Sequence, residues 1–140
     1  MAPIDHALIA IATDALSAVP PNPETHTVAS AVRTTSGSTF TGINVYHFTG
    51  GPCAELVALG AAAGGGVLAA GIKTIVAVVK DENTGEVGVI NPCGRCRQVL
   101  FDYNADMEVI VSDGKEDRTV SLRELLPFAP YAWDGNMEQR

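Results

Sequence analysis

Two short stretches, "GGPCAE" at 50–55 and "NPCGRC" at 91–96, set cysteines directly after proline at what read as two helix starts, forty residues apart. A helix N-terminus carries free N–H groups and partial positive charge, which lower a thiol's pKa and favour the thiolate. Cys93 and Cys96 are three residues apart and so share a helix face. A fold that brings Cys53 beside them offers three sulfur donors to one soft or borderline metal ion. Zinc suits that set, with three protein ligands and an open fourth position, one ion per chain.

Glu55 gains a purpose in that arrangement. Side chains in a first helical turn lean back towards the N-terminus, so Cys53 and Glu55 both reach the space before the helix. A carboxylate beside the metal's open position can take a proton from water and deliver it to a leaving group. Three thiolates bring excess negative charge, which the two helix ends, and Arg95 or Arg97, can offset. Other readings explain less. A purely structural zinc site needs a fourth protein ligand, with His47 nearest and His6 and His26 more remote, and it leaves Glu55 idle. A redox pair at Cys93 and Cys96 leaves Cys53 and Glu55 unexplained, and three free core cysteines do not account for the repeated Pro-Cys opening.

The rest of the composition narrows the class. At 140 residues the chain fits one domain, 1–140, and 46% apolar content suffices for a core. A net charge of −7 and a pI near 4.7 argue against a nucleic-acid partner and for a small molecule, a cationic one being steered favourably. An odd cysteine count with a C-x-x-C pair and no basic leader argues against a disulfide framework and for a soluble, cytoplasmic protein. The uncharged run at 56–72 reaches only the lower edge of spanning length, and "GGG" would break a helix there. A buried helix, a glycine turn and the approach to a strand explain it better than a membrane span.

Residues 5–18 suit a helix that stops before Pro20-Pro21. "HTVASAVRTT" and "STFTGINVYHF" are strand-like runs around a Ser36-Gly37 hairpin signal. A helix over about 53–63 is apolar on nearly every side and is expected to be buried. "KTIVAVVK" reads as a strand, "DENTGEVG" as a loop or short excursion, and "PCGRCRQVLFDY" as a helix. "MEVIVSD" is a further strand, and Ser121 with Glu124 forms a capping-box pattern before a short helix. The order predicts an α/β chain, a central mixed sheet with helices on its faces.

At "CAE" followed by "PCGRC" the sequence resembles the cytidine deaminase family, from about His26 to Trp133. The likeness is densest in "FTGINVYHFTGGPCAELVALG", "PCGRCRQVL" and "RELLPFAPYAW". It implies a three-layer α/β/α fold, a homotetramer, and hydrolytic release of ammonia from C4 of a cytosine nucleoside. Zinc would be held by Cys53, Cys93 and Cys96, with Glu55 as the proton shuttle. Within the family, "NVY" replaces the usual Asn-x-Glu, so Asn44 remains while Tyr46 stands in the place of a carboxylate, and Leu56 follows Cys-Ala-Glu where arginine is usual. Both changes fit a branch that detoxifies a nucleoside antibiotic with an altered sugar and a cationic guanidino tail. That likeness implies substrate contacts from Thr27, Asn44, Tyr131 and Trp133. Val87 departs from the branch, which has an arginine there. Two alternatives stand beside this reading: a cytidine or deoxycytidine deaminase of pyrimidine salvage, and a zinc-stabilised binding protein without catalysis.

Overall fold

The structure, a computed structural model, describes residues 2–21 and 24–128. In chain order it comprises α1 (His6–Ser17), β1 (Val28–Thr34), β2 (Thr39–Ile43), α2 (Ala54–Gly64), β3 (Ile72–Lys80), β4 (Val87–Ile90), α3 (Gly94–Tyr103), β5 (Glu108–Ser112), β6 (Asp117–Ser121) and α4 (Leu122–Leu125). The six strands form one mixed sheet in the order β2-β1-β3-β5-β6, with β4 also paired to β3. All pairings are antiparallel except β3 with β5.

Alternation along the strands builds two cores. On one face Ala29 and Ala31 of β1, Val76 and Val78 of β3 and Ile110 of β5 meet Leu8, Ala12 and Leu16 of α1. On the other, Val32, Ile75, Val109 and Val111 meet Ala58 and Ala62 of α2 and Cys96, Leu100 and Phe101 of α3. The sheet thus has α1 on one side and α2 with α3 on the other, the three layers expected. Asp5 ties the first layer down. Its carboxylate caps α1 by accepting from the Leu8 N–H at 3.0 Å and also takes the Arg33 guanidinium of β1. That guanidinium holds Asp5 below the usual carboxylate range.

The second layer sits unusually close. α2 presents Ala54, Ala58 and Ala62 at four-residue spacing, and Gly42 of β2 lies beneath them. A Cβ on Gly42 would stand 2.3 Å from the Ala58 backbone nitrogen, so only glycine admits this approach. The structure differs from the expectation for α2 in one respect. Gly60, Ala61, Ala63 and Gly64 are exposed, leaving an uncharged helix face open. Uniform apolarity had hidden which side meets the sheet.

Two strands were also not foreseen. β4 begins inside the stretch read as a loop or short excursion and runs two residues past it, and its four residues, Gly88 among them, are too few to show a strand period. β6, "DRTVS", has the same difficulty, a polar strand recognisable only by its pairing with β5. The 56–72 run is α2, a turn with Gly66 at φ +92° and the 3₁₀ turn Ala69–Gly71 leading into β3. Among the described residues no helix is long and apolar enough to cross a membrane.

Candidate active site

Both Pro-Cys openings lie on the α2/α3 face. Each cysteine is itself the N-cap, with its proline one residue earlier. Cys93 caps α3 with sulfur: its Sγ accepts from the Cys96 N–H at 3.5 Å, where serine or aspartate would usually offer oxygen. The three Sγ atoms of Cys53, Cys93 and Cys96 lie within 4.8 Å of one another, Cys53 and Cys93 being 3.6 Å apart. Tetrahedral zinc with Zn–S bonds of about 2.3 Å places its sulfurs about 3.8 Å apart, so this spacing fits the ion.

The electrostatics of the cluster point the same way. Partial burial pushes the Cys93 thiol up, but hydrogen bonds from the Cys96 N–H, the Cys53 and Cys96 thiols and the Arg95 N–H outweigh it and hold Cys93 below its usual range. Cys96 is driven far up, by burial first and then by the Glu55 charge and the neighbouring sulfurs. Three sulfurs this close cannot all ionise without a cation among them, and a divalent ion removes that conflict. No histidine, aspartate or glutamate joins the cluster among the described residues. His47 is exposed, its Nδ1 engaged with Thr49, so the four-ligand structural site loses its nearest candidate.

Glu55, in the first turn of α2, is only 6% exposed and hydrogen-bonded to the Cys96 thiol. Burial raises its pKa above the ordinary glutamate value. Of the two arginines, the structure selects Arg95 as the cluster's cation. Its Nη2 donates to the Gly51 carbonyl at 2.8 Å and to Cys53 Sγ at 3.4 Å, spanning both openings. Arg97 instead bonds the Pro92 and Leu125 carbonyls, a structural task.

Asn44 and Thr27 come together where β1 begins. Asn44 Oδ1 accepts from the backbone N–H of Thr27 at 2.7 Å and of Val28 at 3.0 Å. The next residue, Val45, donates its N–H to the Pro52 carbonyl, one residue before Cys53. Thr27 also lines an open groove of about 990 Å³ with His26, Lys80, Glu82 and Val87. Tyr131 and Trp133 lie outside the described residues. Sequence reasoning missed Asn91, whose side-chain amide bonds β5; an amide directly before a Pro-Cys opening was the available signal.

A six-stranded mixed sheet with helices on both faces and three cysteine thiols at two helix starts defines a zinc-dependent deaminase. The chain belongs to the family of the cytidine and deoxycytidylate deaminase zinc-binding region, which matches residues 3–112. It is 32% identical over 130 residues to the Blasticidin-S deaminase of Bacillus cereus, across 89% of this chain and 90% of that one. Among solved structures it is similar to the cytidine deaminase from Burkholderia pseudomallei, with 30% identity, a TM-score of 0.73 and coverage of 91% and 99%. The cytidine deaminase from Mycobacterium tuberculosis shares 27% identity and a TM-score of 0.68, over 91% and 98%. Family and site together make the chain a zinc-dependent nucleoside deaminase.

Proposed function

We propose that this chain, as one deaminase domain, removes the C4 amino group of a cytosine nucleoside, with blasticidin S as the preferred substrate. The observation that carries the chemistry is a buried carboxyl, Glu55, against a three-thiol cluster with no fourth protein ligand among the described residues. Cys53, Cys93 and Cys96 would hold zinc, which when bound would supply Lewis acidity near neutral pH. The Glu55 carboxyl accepts a proton from the attacking water and hands it to the departing nitrogen, and its raised pKa suits a group that must both accept and release. The C4–N bond breaks, a C4 carbonyl forms, and water enters as ammonia leaves. A non-catalytic zinc scaffold would gain nothing from burying such a carboxyl.

Asn44 supports a donor's role towards the sugar, since its oxygen is already taken by Thr27 and Val28 while its NH₂ group remains. Thr27, Tyr131 and Trp133 would complete the substrate contacts. Tyr46, 66% exposed, offers only neutral hydrogen bonds where a carboxylate would grip ribose hydroxyls, a difference of about 1 kcal/mol or more per bond. That loss weighs against cytidine, and the net charge of −7 favours approach of a cationic antibiotic. The exposed uncharged face of α2 and the 88% exposed Phe48 support assembly with further copies, as a homotetramer. The blasticidin reading carries with it a cytoplasmic setting and a role in antibiotic resistance. Val87 favours the second reading, a cytidine or deoxycytidine deaminase, because it stands where the antibiotic-detoxifying branch carries an arginine.

Ultraviolet absorbance assays on cytidine, deoxycytidine and blasticidin S separate the two. The expected result is a higher kcat/KM for blasticidin S, with an advantage that shrinks as ionic strength rises. Equal or better turnover of cytidine leaves a general cytidine deaminase.

A further inference from the structure

The α3 opening hangs on an irregularity in the sheet. β4 and β5 lie end to end along the same side of β3: β4 pairs with Ala77–Lys80, β5 with Thr74 and Ile75 alone. Beyond that short pairing the far end of β5 has no strand partner on the β3 side among the described residues. Asn91, the first residue after β4, fills the place with its side chain. Its Nδ2 donates to the Ser112 carbonyl at 2.9 Å, and its Oδ1 accepts from the Ser112 N–H at 2.8 Å. An amide carries a donor and an acceptor side by side, so this one side chain reproduces a strand pair. Buried Pro92 follows at once and keeps Asn91 extended, and Cys93, the cap of α3, comes next. On the opposite side Arg95 fastens the same opening to Gly51 of the α2 opening.

We propose that Asn91 is a positioning residue for the thiol cluster: its clamp on Ser112 sets where Cys93 and Cys96 stand against Cys53, and thereby the affinity for zinc. The inference rests on the zinc reading above. It extends that reading from the ligands to the group that aims two of them, a kind of partner whose loss typically costs about tenfold to a hundredfold in metal affinity.

The test compares the parent with N91D, N91A and, as a control for mere destabilisation, S121A, which removes the α4 cap away from the thiols. N91D keeps the size and the acceptor but cannot donate to the Ser112 carbonyl. Zinc transfer to a chromophoric chelator gives affinity, and the Co(II)-substituted protein gives a sulfur-to-metal spectrum that reports ligand geometry. Both Asn91 variants should bind zinc about tenfold or more weakly and shift the Co(II) bands, with kcat lowered more than KM is changed. S121A, at a comparable melting temperature, should keep the parent's affinity and spectrum. Zinc affinity in N91D within twofold of the parent, or an equal loss in S121A, overturns the proposal, and N91D decides if N91A does not fold. A parent that binds no zinc overturns the function itself, an outcome read before any variant is compared.

Discussion

Glu55 is buried, raised by desolvation, and set against Cys96. Glu55→Gln should therefore keep zinc and the melting temperature while losing about a hundredfold or more in kcat, because the amide cannot carry the proton. Metal analysis and a rate measurement on the same sample check this; normal turnover by the variant would remove Glu55 from the mechanism. Asn44 shows the limit of reading residue by residue. Its match to a family pattern suggested a ligand contact, yet its oxygen is spent on the Thr27 and Val28 backbone. Only coordinates reveal which half of an amide is left for a ligand.

Among the elements, α2 connects sequence to site most directly. Its alanine stripe and Gly42 let the helix lie close on β2, and the same helix start carries Cys53 and Glu55. Gly42→Ala should force α2 outward, destabilising the protein by about 1–3 kcal/mol, the usual cost of overpacking. The denaturation midpoint measures that cost, and kcat should fall with it because the helix start moves. An unchanged midpoint would show that α2 yields without penalty. The helices, the hairpin and the capping box at Ser121 and Glu124 were readable locally, since caps and turns depend on neighbours in sequence. β4 and β6 were not, because strands this short, one interrupted by glycine and the other mostly polar, owe their conformation to the strands beside them.

For the whole molecule, the metal is expected to join two helices whose starts are forty residues apart in the chain. At free zinc about a hundredfold above Kd the linkage contributes about 2.7 kcal/mol. In a domain of this size that corresponds to roughly 8–11 °C of melting temperature. Chelation should produce that fall and added zinc should reverse it; a melting curve indifferent to chelator would mean that the ion does not link α2 to α3. The cysteine spacing, the glutamate beside the first cysteine and the acidic balance determined, without coordinates, the chemistry available to this chain and the class of partner it favours. They did so because such features are costly or purposeless in a plain core. Tertiary structure alone decided which arginine serves the thiols, that Asn91 completes β5, and which face of α2 stays open. Those outcomes depend on contacts between segments far apart in sequence, where no local pattern records the partner.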